Sequence, residues 1–164
     1  MVKIKNLHRL KQKEIRLLLK EIEETLQLSI SLSNTKVERG KIQDIEFIFL
    51  ENTPCFFRKD TTLFFTILGL LRFKPTFRFV KVDMGAIQFV TNGADIMAPG
   101  IVDADNNIET DDSVWICDET HKKPLAVGIA LRSGKDMLQV KKGKAVKIIH
   151  HIGDELWEIM KLFV

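Results

Sequence analysis

Leu7, Leu10, Ile15, Leu18, Ile22 and Leu26 recur at intervals of three to five residues, mostly three or four. That interval lays them along one stripe of a helix. The spacing predicts an amphipathic helix over residues 7–28, with Asn6 as its N-cap and Lys11, Glu14, Lys20, Glu21 and Glu24 on the opposite face. The period then changes. Residues 36–40, 45–50 and 55–58 are short β-favouring runs broken at Gly40, Asn52 and Pro54, and read as a small antiparallel meander. Residues 61–73 are apolar on nearly every side and include Gly69. They predict a short buried helix, with a strand as the alternative, because a run without polar positions carries no period. Pro75 ends it.

A second pattern starts near Phe79. Residues 80–82 predict a strand, and Asp83 stands where a helix N-cap belongs, ahead of residues 85–90. Ile87 and Val90 share a face of that short helix, which Gly93 ends in a left-handed turn. Strand-like runs follow at 101–102, 113–117, 125–131 and 145–150. Between them lie Pro99-Gly100, Asn106-Asn107, residues 122–124, Ser133-Gly134 and Lys142-Gly143, all turn chemistry. Short strands at this spacing predict a compact barrel rather than a parallel sheet. A last helix, residues 153–161, is capped by Asp154 and puts Leu156, Trp157 and Met160 on one side. The fold class expected is α+β: an αβ domain over residues 1–78, then a β-barrel domain with a C-terminal helix over residues 79–164. No repeat or linker separates them, so the halves are expected to pack closely.

The 164 residues are 45% hydrophobic and 29% charged, which sets aside disordered and low-complexity classes. Cys55 and Cys117 form no C-x-x-C pair, so a zinc ribbon or redox motif is unsupported and a reduced intracellular protein is expected. The N-terminus has scattered lysines and no apolar segment of a secretory signal, and the most apolar stretch, residues 63–71, is far short of the ~20 residues that cross a bilayer. A soluble, cytoplasmic protein is expected. Charge is uneven. Fifteen Lys and Arg meet nine Asp and Glu in residues 1–80, against ten and thirteen in residues 81–164, so a balance of +6 is followed by −3. Within residues 1–20, Lys3, Lys5, Arg9, Lys11, Lys13, Arg16 and Lys20 face Glu14 alone. Such a block suits contact with a phosphate backbone, and equally suits a solvated helix face.

Catalytic chemistry is scarce. His8, His121, His150 and His151 include no pair at the i, i+4 spacing of a metal-binding helix. His150 and His151 are adjacent, so a strand sends them to opposite faces. Asp103, Asp105, Glu109, Asp111 and Asp112 form an acidic loop, without the glycine and terminal glutamate of a calcium loop. Nucleophile-elbow, phosphate-loop and dinucleotide motifs are missing. No metal and no cofactor is expected. The two cysteines fall in strand contexts, where a buried and inert thiol is expected. One segment stands out, residues 82–101: a strand, a short helix, then a loop holding Gly93, Ala94, Pro99 and Gly100. With so little side-chain bulk, a polynucleotide can approach peptide N–H groups there. The same glycines also serve tight turns, and the residues alone do not choose between the two.

The order Asp83-x-Gly85-Ala86, Gly93-Ala94-Asp95-x-Met97-x-Pro99-Gly100, Asp112-x-Val114, Ala126-Val127-Gly128-x-Ala130 with Ser133, Lys142-Gly143-Lys144-Ala145-Val146 and His150-x-x-Gly153-Asp154-x-Leu156-Trp157 resembles a PUA domain, named for pseudouridine synthase and archaeosine transglycosylase. The closing Gly-Asp-x-Leu-Trp, with the half before it, resembles the branch of malignant T-cell-amplified sequence protein-like members, archaeal stand-alone ones included. Where relatives tend to show Pro-Thr in the apolar run, this chain has Phe65-Thr66. The resemblance implies an N-terminal pre-PUA domain, then a pseudo-barrel of five or six strands that binds RNA against the short helix and the glycine loop.

Carried over by position, the RNA-facing surface comprises Gly93, Ala94, Asp95, Met97, Ala98, Pro99 and Gly100. Charge adds Arg132, Lys135, Lys142, Lys144 and Lys147 as phosphate-positioning groups. The resemblance implies a non-catalytic protein that binds tRNA or small-subunit rRNA in translation initiation, re-initiation or ribosome recycling, with a ribosomal subunit and a second translation factor as partners. The alternatives are a protein-interaction module, docking a translation-factor partner through Phe56, Phe57 and the 61–73 run, and an accessory of RNA modification.

Overall fold

The computed structural model describes residues 3–164. Its first layer is an antiparallel sheet in the order β1 (Lys5–Arg9), β2 (Val37–Ile42), β3 (Ile45–Leu50), β4 (Thr53–Lys59), β5 (Thr62–Phe65). Helix α1 (Gln12–Leu26) packs across it through Leu18, Ile22 and Leu26. The helix thus starts five residues later than the periodicity predicts, and Asn6 is not its cap. Residues 5–9 form the sheet's edge strand instead, with His8 opposite Arg39 and Arg9 opposite Glu38. Pairing with β2 engages one side of their backbone, and Gly40 makes room for the strand: a Cβ there would stand 2.7 Å from Ile4 and 3.1 Å from Leu7. At the start of α1, the Lys11 backbone N–H donates to the Glu14 carboxylate at 3.1 Å.

Both readings of the apolar run hold, in succession. Its first part is β5, and Thr66 then caps α2 (Ile67–Phe73). The Thr66 hydroxyl donates to the Pro54 carbonyl at 2.7 Å and accepts from the Gly69 N–H at 3.0 Å. Gly69 lets the helix lie on β4, since a Cβ there would be 2.0 Å from the Cys55 carbonyl oxygen. Phe56 and Phe57 face Phe65 and Phe64 across the strands at 5.4 Å and are fully buried. They belong to the core, which corrects the expectation that they dock a partner.

The second sheet has the order β7 (Ile96–Met97), β11 (Lys144–His151), β10 (Pro124–Ala130), β9 (Ser113–Asp118), β6 (Phe79–Val82), β8 (Ile101–Ala104). All pairs are antiparallel except β6 with β9. Its two edges, β7 and β8, are joined by one 3-10 turn, Ala98–Gly100, so the sheet curls until its ends nearly meet and forms a barrel-like domain. Val80, Val82, Ile101, Ile116, Ala126 and Val146 fill the interior. Beyond the turns that the sequence predicts, Ser133 caps a further helix, α4 (Gly134–Gln139), whose Met137 is buried with the barrel interior. Asp154 caps α5 (Glu155–Met160) as expected.

The two halves share a core. Leu156, Ile159 and Met160 of α5 and Val127 of β10 pack in the same cluster as the phenylalanines of the first sheet. One polar link crosses with them. The buried His150 meets Asp154 at 2.9 Å through Nδ1, accepts the Ile67 N–H at 3.3 Å through Nε2, and lies edge-on to Phe57. Nδ1 toward a carboxylate and Nε2 toward an N–H together require the neutral Nδ1–H tautomer. Burial opposes ionisation of Asp154, but hydrogen bonds from His150 and from the His151 and Trp157 backbone outweigh it and hold the carboxyl below its usual value.

Candidate nucleic-acid interface

The segment from Asp83 to Gly100 folds around a groove of about 410 Å³. Asp83 ties its two ends together: its carboxylate accepts the Ala86 N–H at 2.9 Å, while its own N–H donates to the Gly100 carbonyl at 2.9 Å. Residues 84–86 make a 3-10 turn that runs into α3 (Ile87–Val90). Val90 points inward, leaving Phe89 58% exposed at the groove. Gly93 then takes φ +86°, and a Cβ there would press on the His151 ring at 3.0 Å. The loop returns as β7, where Met97 sits opposite Lys144 and is 47% exposed.

Gly93, Ala94, Met97 and Pro99 are exposed, and Asp95 and Gly100 are partly so. Ala98 is not at the surface. It is fully buried, and its N–H donates to the Gly143 carbonyl at 2.9 Å, which anchors the loop to the turn before β11. The open peptide N–H groups that the small residues suggested are not at Gly93 or Ala94 either. Both donate back to α3, to Val90 and Phe89. Gly93, Ala94 and Ala98 therefore shape the groove and do not offer amides to a phosphate.

The groove is lined mainly by Ala86, Phe89, Ile96, Met97 and Pro99. Its two carboxylates are already engaged. Asp83 caps the turn, and Asp95 accepts the Ile148 N–H at 3.0 Å while the Lys144 ammonium lies at 3.4 Å. Of the cations singled out from charge, Lys144 is thereby fixed beside the groove. Lys135, Lys142 and Lys147 are exposed, with no carboxylate within 4.0 Å among the described residues. Arg132 differs. Its guanidinium donates to the carbonyls of Val140, Lys142 and Lys144 at 2.7–2.9 Å, so it organises the lysine-bearing turn from within. A Cβ on Gly143 would approach that guanidinium to 3.1 Å.

Sequence reasoning did not single out Phe89, the largest groove-facing side chain. The signal was an aromatic residue off the Ile87–Val90 face of a very short helix. The cysteines are free and buried, and desolvation pushes both thiols up to about 11. Among the described residues no group of three His, Cys, Asp or Glu is placed to hold a metal, and no helix is long and apolar enough to cross a membrane.

A PUA domain family model matches residues 79–152, and a model described as Domain of unknown function (DUF1947) matches residues 6–73. The chain is 42% identical to an uncharacterized protein of Methanocaldococcus jannaschii over 158 residues, covering 95% of this chain and 98% of the other. It is 32% identical to Translation machinery-associated protein 20 of Saccharomyces cerevisiae over 130 residues, 75% of this chain and 72% of that one. The crystal structure of a hypothetical protein from Pyrococcus horikoshii superposes with a TM-score of 0.82 at 34% identity, covering 94% of this chain and 99% of that chain.

Proposed function

The chain belongs to the PUA-domain proteins, in the branch of the malignant T-cell-amplified sequence protein, and on that premise we propose that it is a non-catalytic RNA-binding protein of the translation apparatus. The observation that carries this reading is the groove of Phe89, Met97 and the Gly93 loop, with Lys144 at its side. An unpaired base enters it and lies against Phe89, because RNA is read at splayed-out single-stranded positions by stacking. Lys142, Lys144, Lys147 and Lys135 hold the adjoining phosphates. The exposed cations of β1 and α1, including Lys5, Arg9, Lys13 and Arg16, give the same RNA a second, sequence-blind contact.

The ligand proposed is tRNA or small-subunit rRNA, met on a ribosomal subunit in initiation, re-initiation or recycling, in the cytoplasm and with a second translation factor. The name of the yeast relative supports the setting. The groove's chemistry supports the seating of a base: its two carboxylates are committed to backbone or lysine, and the surface left open is mainly apolar. We assign residues 1–78 and 79–164 to separate domains, supported by the two sheets and the two family matches.

Titration of labelled tRNA and small-subunit rRNA fragments against the protein tests the reading. Binding is expected at low salt and falls steeply as salt rises. Lys142→Glu with Lys147→Glu flattens that dependence and weakens binding by roughly tenfold or more. Absence of binding at low salt overturns the proposal.

A further inference from the structure

A second place on the barrel carries aromatic rings beside free cations. β6 and β9 run parallel, with Phe79 next to Trp115 and Lys81 next to Cys117. Val80, Val82, Val114 and Ile116 point into the barrel, so Phe79, Lys81, Trp115 and Cys117 lie on its outer face, with Phe79, Lys81 and Trp115 half-buried and Trp115 packed on one side against the core of the first half. Pro75, Thr76 and Lys122 wall them in, leaving a mostly apolar cleft of about 220 Å³. The Trp115 indole N–H donates to the Phe77 carbonyl at 2.8 Å, which fixes the ring in place. The Lys81 ammonium stands 5.8 Å from the centre of the Phe79 ring. Neither Lys81 nor Lys122 has a carboxylate within 4.0 Å among the described residues, and Asp118 nearby is occupied by the N–H groups of Thr120, His121 and Lys123.

We propose that this cleft is a second RNA subsite, in which Phe79 and Trp115 stack an unpaired nucleotide and Lys81 and Lys122 hold its phosphates. The inference rests on the RNA-binding reading above. Three observations select single-stranded RNA as the occupant. The free charges are positive, and bare cations beside π-faces are the combination that binds single strands without reading sequence. β6 and β9 are both interior strands, so the cleft offers no unpaired backbone edge to which a peptide strand could add. The chain also links the cleft to the groove: from Phe79 of the cleft, β6 leads to Asp83, which lines the groove, four residues on and about 13 Å away at the rise of a strand. Burial pushes the Cys117 thiol up to about 11, so the floor stays uncharged at neutral pH.

The chain has two tryptophans, so Trp157→Phe leaves Trp115 as the sole emitter. The test titrates that protein, its fold checked by circular dichroism, with an oligouridylate of about ten nucleotides at low salt. Quenching of Trp115 emission in step with binding is expected. Phe79→Leu, which keeps apolar volume and removes the π-face, is expected to weaken binding by roughly fivefold to tenfold. Binding with Trp115 emission unchanged and Phe79→Leu neutral overturns the subsite and leaves the groove reading standing. Equal quenching by an oligoglutamate peptide overturns it in favour of a protein-binding face. Failure of the protein to bind any RNA overturns both proposals.

Discussion

The basic start of the chain and the corner between β6 and β8 differ in kind. Residues 3–20 present exposed cations on an edge strand and a helix, with few carboxylates among them, and Arg9 and Arg16 line a mostly polar cleft there. The corner sits in the half whose formal charge is −3, yet it holds a shaped apolar groove whose acids are held in place, Asp83 by the turn it caps and Asp95 by Lys144 and the Ile148 N–H. The first region can attract any polyanion, and its contribution decays with salt. The second can distinguish a splayed-out base from a stacked one, since that depends on volume and on a π-face. Net charge therefore points to one half of the chain and shape to the other. The proposed function takes affinity from both and selectivity mainly from the groove.

The largest expected effect tests whether the two regions share one folded unit at all. Gly69→Ala places a Cβ 2.0 Å from the Cys55 carbonyl oxygen, in the first half, and is expected to cost about 3 kcal/mol or more. Both tryptophans lie in the second half. Thermal unfolding followed by their fluorescence should shift by as much as the far-ultraviolet signal, because the core is common; a shift confined to one probe would separate the halves. Next comes His150→Ala, which leaves a cavity beside Phe57, takes from Asp154 its side-chain partner and leaves the Ile67 N–H unpaired at the junction. It is expected to cost about 2–4 kcal/mol in denaturant titration.

Two binding variants then sharpen the contrast itself. Phe89→Ala is expected to reduce affinity for single-stranded RNA by roughly tenfold with an unchanged salt slope. Replacing Lys5, Arg9, Lys13 and Arg16 by Gln should lower the slope of log affinity against log salt by about 0.7 for each phosphate no longer neutralised, and leave selectivity for unpaired RNA intact. The reverse pattern would exchange the two roles. The smallest effect is on acid stability. Asp154 has a folded pKa below its unfolded value, so its stabilisation is complete above about pH 4 and is lost as pH falls through the folded pKa. Asp154→Asn should flatten the dependence of stability on pH below 4 by less than about 1 kcal/mol.

Much of this was readable in the chain. The meander, the 80–82 strand, the Asp83 and Asp154 caps, the left-handed Gly93 and the barrel strands follow from local chemistry, because turn residues and side-chain periods act over a few positions. Residues 5–9 escaped the same logic. Their apolar spacing continues a helix, but an open edge on β2 and the space left by Gly40 offered a strand more. Ala98 and Arg132 escaped it too. A small residue in a glycine-rich loop and an arginine in a basic stretch read as surface groups until Gly143 and the Lys142 carbonyl arrive beside them from a distant segment.

By itself the sequence determined the meander and most barrel strands, the Asp83 and Asp154 caps, the family and the segment that carries the groove, since each is written in neighbouring residues. Only the tertiary structure decided what fills and faces the site. It turned Phe89 outward, buried Ala98, neutralised Asp95 with Lys144 and occupied the Gly93 and Ala94 amides. The reason is that exposure and hydrogen-bond partnership are properties of the packed neighbours. Lys144 lies nearly fifty residues from Asp95 along the chain, and the pairing of β7 with β11 brings them together.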